Sequence, residues 1–175
     1  MNNNIYDLTG ANVFTYLTQV QSAYSRYLQM RTQLRQLDNN LKVANDAFEK
    51  NPNVQNLGIV QNAWNQKYSL MQQIPSIADN IVTYLVAATK TALSSMQICL
   101  KDNNKMGVLL NESTMASICT YVEQNTNQLN LLPYYRQRCI NEGINMQISD
   151  VEIRVRMSAI ITPNFDHLKM IIRGF

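Results

Sequence analysis

The sequence predicts a mainly α-helical protein built on a long antiparallel helical hairpin of the coiled-coil kind, with shorter helices and a small C-terminal β-ribbon. Three observations predict this fold. Apolar residues keep one heptad register from Val13 to Phe48, an Asn-Pro-Asn turn at 51–53 interrupts the helical pattern, and the apolar period becomes two after Gly143. A length of 175 residues indicates a single folding unit.

The first predicted helix runs from a cap near Asn12 to Lys50 and carries a narrow apolar stripe, here called the heptad seam. A stripe this narrow and long is typical of a helix that packs against one partner helix, so the seam is the predicted interaction surface. The sequence leaves open whether the second helix of the same chain or another chain covers it. The seam consists of Val13, Tyr16, Val20, Ala23, Tyr27, Met30, Leu34, Leu37, Leu41, Ala44 and Phe48.

After the turn, a second helix is predicted from the 3,4 spacing of apolar residues between Val54 and Met71. Two long helices joined by so short a connection must lie antiparallel. Pro75 predicts a kink or a break, with a fresh start near Ser76. The wider apolar face that continues to about Lys101 is expected to be buried on two sides.

Three further helices are predicted in the remaining chain. The first is capped by Asn111 or Ser113, the second is a short helix that begins at Pro133 and closes at Gly143, and the last runs from Pro163 to Arg173. We interpret residues 1–130 as a helical hairpin or bundle and residues 131–175 as a tail that belongs to the same folding unit.

The predicted β-ribbon lies between Gly143 and the last helix. Apolar residues alternate with polar ones from Ile144 to Ile148 and then, in the opposite phase, from Val151 to Met157, which predicts a hairpin turn or a bulge at Ser149-Asp150. An isolated ribbon is marginally stable, so it must pack on helices or pair with strands of another chain. The predicted β-edge that would accept a neighbouring strand consists of Val151, Ile153 and Val155.

The composition is rich in neutral amides and poor in charge. The chain has 22 Asn and 15 Gln, and only 15% of its residues are charged. Weak self-repulsion suits a protein that packs beside other copies or a neighbour, although AT-rich coding bias produces similar amide counts. A net charge of +3 is too small to require nucleic acid or an anionic membrane as a partner.

No motif for catalysis is present. Walker, GxGxxG and HExxH patterns are missing, and any zinc site or Ser-His-Asp relay that uses histidine would depend on His167 alone. Among the carboxylates, only Asp150 and Glu152 are spaced to converge. We therefore expect no enzymatic activity, no cofactor and no metal site. The three cysteines are expected to be reduced and buried, and the aromatic residues Tyr16, Tyr24, Tyr27 and Trp64 are expected to pack instead of forming a ligand box.

Two alternatives to an assembly function stay open. One is binding of nucleic acid through a C-terminal cluster of cations and aromatics, in which the candidate contacts are Arg136, Arg138, Arg154 and Arg156. The other is membrane insertion of the segment Ile81–Leu100, although its polar residues argue against a stable membrane span.

The sequence best fits a non-enzymatic structural or assembly subunit of a large multi-subunit particle, such as a virion, a phage tail or a secretion-type apparatus. Its expected partners are proteins, in a homo-oligomer or a hetero-assembly. Because no secretory signal pattern follows Met1, the expected location is the cytoplasm or the particle itself.

Overall fold

The computed structural model describes residues 11–144 and 163–173 of the chain. These residues form six helices, and the prediction of a mainly helical protein is confirmed. The helices are α1 Ala11–Lys50, α2 Val54–Met71, α3 Ile74–Lys101, α4 Lys105–Leu129, α5 Leu132–Asn141 and α6 Pro163–Arg173. The described residues contain no strand and do not support the predicted β-ribbon, whose residues 145–157, with the predicted β-edge Val151, Ile153 and Val155, lie outside them.

Contacts between residues divide the chain into two compact units. One unit, which we call the hairpin unit, spans Ser22–Asp79. The other, which we call the core unit, contains residues 11–21, 80–144 and 163–173 of the described chain. Helices α1 and α3 each contribute residues to both units.

In the hairpin unit, α1 and α2 run antiparallel. The Lys67 Nζ atom lies 2.6 Å from Asp38 Oδ1, and nearer the turn the Asn56 side chain donates to the carbonyl oxygen of Asn51 over 2.8 Å. Asn53 begins α2 because its side chain accepts a hydrogen bond from the backbone N–H of Asn56 over 2.7 Å. The turn residues at 51–53 thus end one helix and cap the next, as the sequence predicts.

Pro75 accompanies a break between helices, which confirms the predicted interruption. Helix α2 ends at Met71 and α3 begins at Ile74, two residues before the predicted start at Ser76. Proline is tolerated in the first turn of a helix, where its missing N–H would have no partner. The helix can therefore begin upstream of the proline.

Helix α3 supplies much of the buried apolar surface of the core unit, and its apolar face is buried along its length. Ile81, Leu85 and Met96 are fully buried, which confirms the predicted wide face of this helix. Helices α4, α5 and α6 pack against one another, and Phe165 of α6 is also fully buried.

Helix α4 begins earlier than predicted. It starts at Lys105, and the Asn104 side chain accepts a hydrogen bond from the backbone N–H of Gly107 over 2.9 Å. Asn111 is therefore not a cap, and the prediction of a start at Asn111 or Ser113 is wrong. The buried Asn111 side chain instead donates to the carbonyl oxygen of Gly107 over 2.8 Å, inside the helix.

Two glycines in helices give opposite expectations for replacement by alanine. A Cβ atom at Gly107 would collide with Cys99 Sγ and lie 2.9 Å from the Asn104 side chain, whereas one at Gly58 would meet nothing within 4 Å. We expect Gly107→Ala to lower the free energy of unfolding by about 1–3 kcal/mol through overpacking. Gly58→Ala should raise it by about 0.5–1 kcal/mol through helix propensity. Urea titration followed by circular dichroism measures both, and equal effects of the two replacements would contradict the described packing at Gly107.

Candidate interaction surfaces

The heptad seam is covered, wholly or in part, within the chain. Val13, Val20, Met30 and Ala44 are buried, and the other seven seam residues are partly buried. In the part of α1 that belongs to the hairpin unit, however, most seam residues keep some solvent exposure. These partly exposed residues are Ala23, Tyr27, Leu34, Leu37, Leu41 and Phe48.

Helix α2 carries two neighbouring rows of residues with 3,4 spacing, and only one of them faces α1. The inner row consists of Asn56, Val60, Ala63, Lys67 and Leu70, all buried or partly buried. The outer row, one position further along, consists of Leu57, Gln61, Trp64, Tyr68 and Met71, all exposed.

Burial distinguishes the two rows. Ala63 of the inner row is buried, as is Ala44 on α1, whereas every residue of the outer row is exposed. The sequence predicts that Trp64 packs against other residues, but half of its surface, 50%, is exposed. The 3,4 spacing of the outer row indicates this surface in the sequence. Because the inner row has the same spacing, the sequence alone does not show which row faces solvent.

An ion pair between the inner row and α1 lies beside the outer row. Lys67 is paired with Asp38, and its ammonium nitrogen also lies 5.6 Å from the centre of the Trp64 ring. Helix α2 holds no other charged residue. The outer row is therefore an uncharged, largely apolar surface that adjoins a charged side of α1.

The opposite side of the hairpin unit presents an open groove lined with neutral amides. Its volume is about 650 Å³, and six of its lining side chains are Gln33, Gln36, Asn40, Asn65, Gln66 and Gln73. These side chains can donate and accept hydrogen bonds but cannot supply a general acid or base at neutral pH. In the core unit, a smaller cavity of about 250 Å³ lies beside Lys90 and Glu142.

The predicted nucleic-acid contacts are not brought together as a free cluster. Arg136 donates through Nε to the carbonyl oxygen of Ile171 over 2.7 Å, and Arg138 donates to the Thr83 hydroxyl over 3.2 Å. Both side chains are partly buried and hold α5 against neighbouring helices. The other two candidates, Arg154 and Arg156, lie outside the described residues.

The single histidine lies beside a carboxylate. The imidazole Nε2 of His167 lies 2.7 Å from Glu123 Oε1 in an exposed pair, whereas Cys99, Cys119 and Cys139 are all buried and unbridged. Burial raises the pKa of both Cys119 and Cys139 to about 12. The reactive thiolate form is therefore suppressed at neutral pH.

A buried carboxylate caps the last helix. Glu112 of α4 accepts hydrogen bonds from the backbone N–H groups of Asn164 over 2.6 Å and of Phe165 over 3.2 Å. Both N–H groups belong to the first turn of α6, where no intrahelical acceptor is available. Desolvation raises the pKa of Glu112 from its ordinary value of 4.5, and the two N–H groups partly offset that rise.

A second buried polar contact joins α3 to α5. The hydroxyl of Tyr135 lies 2.6 Å from Thr89 Oγ1, and Thr89 lies 2.8 Å from the carbonyl oxygen of Leu85. A carbonyl oxygen only accepts, so when Thr89 donates to Leu85 the Tyr135 hydroxyl is the donor to Thr89. Complete burial raises the pKa of Tyr135 well above 10, and the phenol stays protonated.

The arrangements described above are packing surfaces and structural contacts. Among the described residues, no group of three or more His, Cys, Asp or Glu side chains is placed to hold a metal ion. No helix in the described ranges combines the length and apolar character that crossing a membrane requires. Comparison with protein-family models, with curated proteins and with solved structures gave no match.

Proposed function

We propose that this protein is a non-enzymatic assembly subunit whose hairpin unit packs against other protein chains. The observation that carries the proposal is the incomplete coverage of the hairpin. Although α2 packs beside them, Leu34, Leu37 and Leu41 stay partly exposed to solvent, because two helices alone cannot enclose a core. A hairpin with residual apolar exposure on α1 and an uncharged outer row on α2 gains stability when another helical surface covers it.

We further propose that such a subunit belongs to a large multi-subunit particle. Amide-rich, weakly charged helices suit close packing among many copies in a large particle, such as a virion, a phage tail or a secretion-type apparatus. A subunit of such a particle would be located in the cytoplasm or in the particle itself. A further contact by strand addition at Val151, Ile153 and Val155 stays a prediction from the sequence.

Self-association of the purified chain tests the proposal. We expect sedimentation velocity between about 1 and 100 μM, the range in which modest interfaces form, to show species at multiples of the 20.1 kDa chain mass. The proportion of these species should rise with concentration by mass action. A species of 20.1 kDa throughout this range would contradict the proposal.

A further inference from the structure

The outer row of α2 is the best-defined unpartnered surface of the hairpin unit. Four of its five residues are large and apolar and expose between 41% and 53% of their surface: Leu57, Trp64, Tyr68 and Met71. The fifth, Gln61, is neutral. No charge on this row would have to be desolvated when another surface covers it.

Charged residues of α1 flank the outer row on the side where Lys67 of α2 lies over the Trp64 ring. Asp38 reaches Lys67, which itself contacts Trp64, so the side of α1 that includes Asp38 flanks the outer row. The 3,4 spacing that continues from Asp38 along this side gives a flanking row of exposed, mostly charged side chains: Arg31, Arg35, Asp38, Lys42, Asn45 and Glu49.

The order of charges in the flanking row is complementary to itself when reversed. Asp38 is level with Lys67 in the hairpin, and Ala47 is level with Asn56, so residue 40 is level with Trp64. A two-fold axis through Trp64 brings Leu57 opposite Met71 of the second copy. The same axis brings Arg31 opposite Glu49 and Asp38 opposite Lys42. A two-fold axis parallel to the helices would instead place the two flanking rows on opposite sides of the α2 pair, where their charges would not meet.

From this arrangement we infer that the outer row is a homodimer interface, in which a second copy of this chain packs antiparallel across a two-fold axis near Trp64. The inference rests on the proposed assembly function and names its partner and its surface. A two-fold contact uses the same patch on both copies, which an uncharged row with self-complementary flanks provides.

The exposed area is sufficient for such a dimer. The four apolar side chains leave about 400 Å² exposed on each copy, estimated from typical areas of large side chains. The flanking row adds a comparable area, so that the total on both copies enters the range of about 1,200–2,000 Å² that stable interfaces bury. The apolar row would form the centre of the contact and the charged row its rim.

A matched pair of substitutions on α2 tests the surface. Leu57 is 41% exposed in the outer row, and Ile59 is 52% exposed on the other flank of the same helix. We expect Leu57→Glu to raise the dimer dissociation constant by about tenfold or more, because it places a charge in the apolar centre. Ile59→Glu should change it by less than about threefold. Circular dichroism checks that both variants keep their helices.

Trp64 reports the association directly because it is the only tryptophan of the chain. We expect its emission maximum to shift to shorter wavelength as the wild-type concentration rises, in parallel with a doubling of the 20.1 kDa mass in sedimentation velocity. The Leu57→Glu variant should show this shift only at higher concentration, whereas Ile59→Glu should follow the wild type.

A charge-reversal cycle tests the antiparallel orientation. We expect Arg31→Glu to weaken the dimer about two- to fivefold, as rim charges do, and the double change Arg31→Glu with Glu49→Arg to restore it. A double variant as weak as the single one would overturn the orientation and with it the inference.

The outcomes separate this inference from the function on which it rests. A wild-type chain that stays at 20.1 kDa would overturn both. A chain that self-associates equally well with Leu57→Glu and Ile59→Glu would overturn the inference alone, because another surface would then carry the assembly.

Discussion

Replacing Tyr135 with alanine should lower the free energy of unfolding by about 3–5 kcal/mol, the largest effect that we expect from a single substitution in this protein. Tyr135 is fully buried, so its removal leaves a cavity the size of an aromatic ring. It also removes the hydroxyl that lies 2.6 Å from Thr89 Oγ1 and joins α5 to α3. Urea titration followed by far-ultraviolet circular dichroism measures the loss.

The neighbouring tyrosine supplies a matched control. Tyr134 lies on the same helix but is 65% exposed, so Tyr134→Ala should change the free energy of unfolding by less than about 0.5 kcal/mol. Tyr135→Phe isolates the hydroxyl and should cost about 1–2 kcal/mol, since Thr89 keeps its bond to Leu85. Equal losses for Tyr134→Ala and Tyr135→Ala would contradict the burial of Tyr135.

Replacing Glu112 with alanine should lower the free energy of unfolding by about 2 kcal/mol at neutral pH, because two N–H groups of the first turn of α6 lose their acceptor. These are the groups of Asn164 and Phe165. The change should loosen α6 more than the rest of the core unit, which hydrogen exchange at Phe165 and its neighbours can show. Unchanged protection of these amides would contradict the capping role.

The raised pKa of Glu112 gives its contribution a defined dependence on pH. Because the pKa is higher in the folded chain than the ordinary 4.5, the folded state binds the proton more tightly than the unfolded state. The stability that this tighter proton binding contributes is fully present below pH 4.5. It is lost as pH rises through the pKa of Glu112 in the folded chain.

Glu112→Gln separates this proton-linked term from the capping contact. The amide keeps one oxygen acceptor and carries no charge at any pH, so the proton-linked loss should be missing. Relative to wild type, we expect the Gln variant to gain stability as pH rises from about 4.5 through the folded pKa. A constant difference between the two proteins across this range would show that the carboxyl group is not desolvated.

The sequence predicts well those parts of the fold that depend on neighbouring residues. The seam on α1 depends on residue spacing within one helix. The turn at 51–53 and Pro75 restrict the backbone at their own positions. The sequence predicts the wrong start for α4 because Asn111 has the residue type of a helix cap. In the fold its side chain is used inside the core, next to Cys99 and Gly107, and Asn104 takes the capping role.

The surfaces were harder to predict because they depend on contacts between distant residues. Both rows of α2 have the same 3,4 spacing, and only the burial of Ala63 and the ion pair between Lys67 and Asp38 show which row faces α1. In the same way, the sequence presents Arg136 and Arg138 as a basic cluster beside tyrosines. Only the packing of α5 shows that Arg136 donates to Ile171 and that Arg138 donates to Thr83 and lies near Glu142.

The distribution of tryptophan and cysteine gives each compact unit its own natural probe. Trp64 lies in the hairpin unit, and Cys99, Cys119 and Cys139 all lie in the core unit, buried. Fluorescence during denaturation therefore follows one half of the molecule, while the rate at which a thiol reagent labels the chain follows the other. If the two signals share a midpoint, the halves melt as a single cooperative block; if they separate, the unmutated chain itself reveals an intermediate.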